Sequence, residues 1–424
     1  MENGAFLLIA AFILAFTLIS RRIHSTWITP AMVFVSFGWL AGDTLGLIDI
    51  DLQDELIRTI MELTLVLVLF IDASRIDLRV LRQEYQWPAR LLSIGMPLTI
   101  AAGTAGGMII LGFPIWQAAV LGVVLAPTDA ALGEPIVTDL SIPTRVRQTL
   151  NVESGLNDGI ALPFLTIALA LAGVQEEVES VGYWILFAIR QVGIGAAAGF
   201  GVALIGGWLI ERAHSADWSS RAFERLASLG IALVAFALAE VLTGNGFIAS
   251  FVAGGTMGNV NRDRCTVLFE FAEAEGQLFT MLTFLFFGAA AGPAIADIGG
   301  SEILYAVLSL TVIRMIPVAL SLIGAGLKPP GILMLGWFGP RGVASILFAL
   351  FALEEEAISF GEELFGVVAL TVLGSVFLHG ITARPFGRRY PGWVHRMAPV
   401  EHLAEMEEMP KMPLRAGIAM DPGP

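Results

Sequence analysis

Thirteen apolar runs, most of them near 20 residues long, divide this chain, and no other feature restricts its fold so tightly. Hydrocarbon offers no partner to a backbone N–H or C=O, so a spanning segment must satisfy its own hydrogen bonds. About 20 residues of helix cross a bilayer. The runs lie near 4–20, 28–47, 56–73, 88–111, 115–139, 144–172, 180–210, 225–242, 245–258, 270–292, 302–325, 331–352 and 361–381. Composition agrees: 56% of 424 residues are hydrophobic and 15% charged, where soluble domains carry about 25% charged residues. Mean hydropathy is +0.77. The 46 glycines suit helices that approach closely in a membrane. The expected class is an all-α polytopic membrane protein with 13 transmembrane helices.

The connections between runs alternate in charge. Arg21 and Arg22, then Arg75 to Arg90, Arg145 and Arg147, Arg212 to Arg225, Arg262 and Arg264, Lys328, and Arg384 to Arg389 follow every second run. Cytoplasmic connections hold the excess of Lys and Arg, so an odd count puts the N-terminus outside and the C-terminus in the cytoplasm of the inner membrane. No basic region precedes the first run, which reads as a retained span rather than a cleaved signal. The net charge of −14 sits mostly in connections and points to no nucleic acid. Cys265 is the only cysteine, so no intrachain disulfide or cysteine cluster forms; beside Arg264 it is either a reactive thiol or inert and interfacial. His24, His214, His379, His395 and His402 fall at run ends or in the tail and are expected at interfaces or in solvent.

Six runs either side of one central run suggest two inverted repeats, residues 1–172 and 223–390, joined by a linker span within 173–222. Residues 391–424 lack a sustained apolar face, read as a disordered cytoplasmic tail, and are too short for a nucleotide-binding domain. Run 5 is interrupted at Pro127-Thr128-Asp129 and run 12, its repeat partner, at Gly339-Pro340-Arg341-Gly342. Proline removes a helix hydrogen bond and glycine adds freedom, so both points are expected to unwind. Freed carbonyls there can coordinate a cation, and a carboxylate and an arginine can offset opposed helix ends. Ordinary proline kinks are the alternative.

Polar residues cluster next to the first break, in Glu153-Ser154-Gly155-Leu156-Asn157-Asp158-Gly159. Ser154 and Asp158 are four apart on a helix and share a stripe, as do Glu153 and Asn157. Charges inside a membrane mark internal cavities. With Asp129 from the preceding run, two carboxylates, a hydroxyl and exposed carbonyls make an all-oxygen site suited to a hard, monovalent cation. Carboxylates also bind protons, so cation and proton compete for one site. Arg314 in its apolar run needs an anion, and Glu153 is the choice; the alternative is snorkelling. Asp72 either lines the inner approach to the site or pairs at the interface with Arg75 or Arg79.

These residues resemble the monovalent cation:proton antiporters, in the NhaP-type and sodium–proton exchanger branch. The match rests on Thr128-Asp129, on the Glu153 to Gly159 stretch, on Arg314 and on Gly339 to Gly342, and the thirteen-span plan covers nearly the whole chain. The resemblance implies a dimer-forming domain and a core domain in which broken spans 5 and 12 cross. It implies a homodimer in the bilayer, with a cation held by the Thr128 carbonyl, Asp129, Ser154 and Asp158 and oriented by Asn157. Glu153 and Arg314 would be the ion pair between helices, and Arg341 would neutralise helix ends at the crossing. Members with Asn-Asp exchange one cation for one proton without net charge movement. Ala130 stands where relatives usually have proline, and Asp72 where they often have glutamate.

The function expected is secondary antiport of Na⁺ or Li⁺ against H⁺, with no cofactor and no enzymatic step. K⁺/H⁺ exchange is the alternative within transport. An intramembrane aspartyl protease needs paired carboxylates too, yet neither aspartate sits in the Gly-x-Gly-Asp signature expected of that class.

Overall fold

A computed structural model describes residues 3–24, 26–48, 55–79, 86–173, 181–220, 226–260, 262–354 and 360–396, without the side chains of 3, 24, 56, 173, 181, 184, 185, 262–275, 354 and 395. The tail, His402 and the Cys265 side chain lie outside that description.

Among the described residues all regular secondary structure is helical. In order come α1 (Asn3–His24), α2 (Pro30–Trp39), α3 (Glu55–Arg75), α4 (Gln86–Leu111), α5 (Ile115–Val124), α6 (Ala130–Val137), α7 (Thr144–Gly173) and α8 (Val181–Ser215). Then follow α9 (Leu226–Val241), α10 (Gly246–Val260), α11 (Arg262–Ile295), α12 (Gly300–Leu310), α13 (Val312–Ser321), α14 (Pro329–Trp337), α15 (Val343–Glu354) and α16 (Gly361–His395). Among the described residues seven helical segments, with α12 and α13 taken together as one, are long and apolar enough to cross a membrane.

Where the apolar pattern is interrupted, so is the helix. Residues 125–129 separate α5 from α6, and non-helical residues 338–342 separate α14 from α15. These four pieces hold 10, 8, 9 and 12 residues. At about 1.5 Å per residue each reaches roughly half of a 30 Å core, which puts both breaks near the middle of the membrane. A third interruption was not expected. Thr311 leaves the helical region at φ −118°, ψ −92°, its hydroxyl bonding the Val307 carbonyl at 2.6 Å. A hydroxyl that bonds back along its own helix bends it, here one turn before Arg314.

Other ends also differ from expectation. The helix expected from about 270 begins at Arg262, and the last one continues through Arg384, Arg388 and Arg389 to His395. Arg145 and Arg147, read as loop charges, are buried. Arg147 donates to the carbonyls of Ile142 at 2.9 Å and Val137 at 3.2 Å, closing the C-terminal end of α6, while Arg145 lies 4.2 Å over the Trp87 ring. Arg147 thus meets carbonyls that the turn between α6 and α7 leaves unsatisfied, and Arg145 meets an aromatic face on α4.

Small residues set the tightest helix contacts. Gly254 and Gly258 on α10 lie directly against the α3 backbone at Phe70 and Ser74, and a Cβ at either would overlap that chain. Close backbone approach of this kind supplies packing where lipid removes the hydrophobic drive. The site-bearing helix α7 packs against α3, α5, α6 and α8.

Candidate functional site

The two breaks are joined directly to each other through Asp129, Pro340, Val343, Arg341 and Pro127. Asp129 donates its main-chain N–H to the Pro340 carbonyl at 2.8 Å. Its side chain caps α6, accepting from Ala131 at 2.7 Å and Leu132 at 3.4 Å through Oδ1. Its Oδ2 accepts from the Val343 N–H of α15 at 2.8 Å. One carboxylate therefore sits on two helix N-termini, where partial positive charge and free amides favour an anion. Gly342 makes this approach possible, because a Cβ there would overlap the Asp129 carboxylate.

Links in the opposite direction join the two breaks again. Ser345 on α15 donates to the Val124 carbonyl at the end of α5, at 2.8 Å. The Arg341 guanidinium donates through Nη1 to Gly339 at 2.9 Å and Pro127 at 3.4 Å. It is fully buried, next to carbonyls that helix ends leave exposed, which is the place read for it.

Helix α7 brings its polar stripe to the first break. Thr128 Oγ1 lies 2.9 Å from Ser154 Oγ and accepts from Asn157 Nδ2 at 2.6 Å. Thr128, Asp129, Ser154, Asn157 and Asp158 are all buried, and Asp158 lies one helical turn beyond Ser154 on the same stripe. Five of the residues read as a cation site thus share one locality. Asp129 differs from expectation in one respect, since amides already occupy both its oxygens. A carboxylate offers about four acceptor positions, so three amides leave capacity for one more contact.

The brace is present. Arg314 Nη2 donates to Glu153 Oε1 at 2.5 Å, with side chains 2% and 3% exposed. Snorkelling is excluded by that burial. Asp72 is buried too and lines a cavity with Arg75, Ala130, Glu134 and Thr280. That cavity adjoins a second one lined by Glu134, Asp139, Arg384 and Arg388, on the side carrying the basic helix ends. Glu134 borders both and was missed from sequence; its one signal is a carboxylate inside an apolar run.

His379 overturns the expectation that the histidines are interfacial or solvated. It is 1% exposed, with Nδ1 3.1 Å from Ser375 Oγ and 3.0 Å from the Ser375 carbonyl. The second break brings polar backbone to this depth, and a histidine near it finds partners there instead of at the surface. His214 is exposed, as read.

Residues 7–389 match the family model described as sodium/hydrogen exchanger, transmembrane. A K⁺/H⁺ antiporter NhaP of Alkalimonas amylolytica is 27% identical over 394 residues, covering 91% of this chain; the chain spans 65% of that relative's length. A K⁺/H⁺ antiporter NhaP2 of Shewanella sp. is 25% identical, covering 99% of this chain and 71% of the relative. An Na⁺/H⁺ antiporter NhaP of Pseudomonas aeruginosa is 28% identical, covering 81% and 85%. Among solved structures, the sodium proton antiporter MjNhaP1 of Methanocaldococcus jannaschii superposes with a TM-score of 0.75 at 19% identity, covering 92% of this chain and 99% of that one. The likeness extends to the fold of nearly the whole chain.

Proposed function

The chain belongs to the sodium/hydrogen exchanger family, and on that premise we propose that it exchanges a monovalent cation for a proton, the two competing for Asp158 and Asp129. One observation carries the reading: the Thr128, Ser154 and Asn157 network fastens the break between α5 and α6 to the helix bearing Asp158, all inside a membrane protein. Buried oxygens of this kind select a hard, weakly charged ion. The proposed ligands are the Thr128 carbonyl and the side chains of Asp129, Ser154 and Asp158, with Asn157 orienting them. Asp72 lines the inner path.

Na⁺ is the proposed cation, with Li⁺ accepted and one proton moved per cation. K⁺ is the second reading, favoured by the names of the Alkalimonas and Shewanella relatives against those of the Pseudomonas and Methanocaldococcus proteins. Thirteen spans in two inverted repeats, an outer N-terminus, a cytoplasmic C-terminus and residence in the inner membrane complete the proposal. It includes a homodimer, for which the faces of α1 and α8 are available. Only 11% of the span in α1 and 28% of that in α8 is buried within one chain.

The test uses sealed proteoliposomes loaded with a pH dye, a pH gradient, and Na⁺, Li⁺ and K⁺ added separately. Each transported cation relieves quenching in the wild type, and Asp158→Asn abolishes it for all three. Retained exchange in that variant overturns the assignment of Asp158. No response of the wild type to any of the three overturns monovalent cation exchange.

A further inference from the structure

The second break is held from two sides. Asp129 takes Pro340 and Val343 on one side, and Arg341 between them turns its main-chain N–H to Ser375 Oγ on α16, at 2.6 Å. Ser375 is in turn within 3.1 Å of His379 Nδ1, and both residues are at most 1% exposed. Trp337, the last residue of α14, donates its indole N–H to Thr382 at 2.9 Å, and its ring centroid lies 5.2 Å from that of His379. Ser375, His379 and Thr382 are spaced four and three apart, so they form one stripe along α16 facing residues 337–341. This is a polar stripe in a run otherwise built for lipid, and the ligand set above uses none of it.

Among the described residues, His379 Nε2 has no hydrogen-bond partner. Burying a histidine in that way has a cost that a leucine at the same place would avoid. Its return is at Nδ1. The Ser375 hydroxyl oxygen accepts from the Arg341 amide and lies 3.1 Å from His379 Nδ1, which is also 3.0 Å from the Ser375 carbonyl; a proton on Nδ1 reaches both oxygens and holds the Ser375 side chain with a lone pair toward the Arg341 amide.

We propose that Ser375 and His379 are positioning residues for cation binding: through the Arg341 amide they fix the 338–342 segment, and through Pro340 and Val343 that segment fixes the Asp129 carboxylate. Neither touches the ion. The inference rests on the exchange reading of the site, so its experiment has one arm that does not need exchange.

In the vesicle assay, Ser375→Ala raises the apparent cation KM about tenfold while leaving the maximal rate within about twofold, as expected when a binding group is displaced and the remaining chemistry is intact. Ser375→Thr, which keeps the hydroxyl, restores the KM. His379→Leu behaves as Ser375→Ala does, and the double variant is no worse than either, because both cut one chain of contacts. His379→Asn keeps an N–H donor near the Nδ1 position and stays close to wild type. In detergent, amide hydrogen exchange of the peptide covering 338–343 quickens in Ser375→Ala and His379→Leu relative to Ser375→Thr. An unchanged KM in both folded variants overturns the proposal, as does a lower maximal rate at unchanged KM. Unchanged amide protection overturns it by itself, even where the vesicles show no exchange and the function above has failed.

Discussion

The two broken helices solve one backbone problem with different chemistry. At residues 125–129 the neighbouring helix, α7, supplies two carboxylates, Glu153 and Asp158, along with Ser154 and Asn157. At 338–342 the neighbouring helix, α16, supplies Ser375, His379 and Thr382. The first set holds the Thr128 hydroxyl and the second takes the Arg341 amide and the Trp337 indole, so each gives its break polar partners that hydrocarbon cannot. Only the first adds negative charge beyond that need. Breaking a helix in a membrane therefore creates an opportunity for binding, and the side chains of the next helix decide whether it is taken or closed off.

That contrast is open to attack, beginning where the effect is largest. Asp129→Asn replaces a carboxylate that accepts from two helix ends by an amide that must turn a donor toward one of them. Exchange in vesicles is expected to fall at least about a hundredfold, the scale for losing a charge aimed at a reacting ion. Near-normal exchange would move Asp129 from binding to bracing and erase half of the contrast.

Glu153→Ala leaves Arg314 buried without its anion and is expected to cost about 3 to 5 kcal/mol, read as loss of thermal stability in detergent. Adding Arg314→Ala should return part of it. Simply additive losses would mean that the two residues do not act as a pair.

A smaller effect is expected from Gly342→Ala, whose new methyl overlaps the Asp129 carboxylate. Overpacking of this kind costs about 1 to 3 kcal/mol, and apparent cation affinity should fall with stability. Gly133→Ala, on α6 with open space around it, is the control and should be neutral or stabilising by up to about 1 kcal/mol. Equal losses in both would show that the crossing tolerates no change at all, whichever residue it meets.

Ser345→Ala is the mildest. It removes one hydroxyl from the Val124 carbonyl, a link that braces the first break without lining the site. A loss near 1 kcal/mol at unchanged cation affinity is expected. An altered affinity would place Ser345 among the positioning residues.

What was legible in the sequence was what is costly in a membrane. Pro127 and Pro340 marked the breaks, the spacing of Ser154, Asn157 and Asp158 marked a shared face, and Arg314 called for an anion that Glu153 supplies at 2.5 Å. The neutral partners left no such signal. Ser345 and Ser375 look like any small residue in an apolar run, and their roles depend on backbone groups more than 30 residues away, as with Arg341 and Ser375 at a separation of 34. The burial of Arg145 and Arg147 was hidden because a basic turn reads alike whether its arginines face solvent, the end of the preceding helix or an aromatic ring. The bend at Thr311 was missed because a threonine hydroxyl bonds its own helix with no mark in the apolar pattern.

The Asp129 carboxylate has a consequence for how the protein is made. Its Oδ2 is satisfied by the amide of a residue 214 positions later in the chain. A ribosome feeding this protein into a membrane delivers α5 and α6 long before α15, so for most of synthesis the first break stands in the bilayer with half of its contacts still to come. Ser154 and Asn157 arrive soon after Thr128 and can hold it during that interval. The site is thus completed by a helix that emerges long after the first break, and a chain cut short before Val343 carries the carboxylates without the second break that organises them.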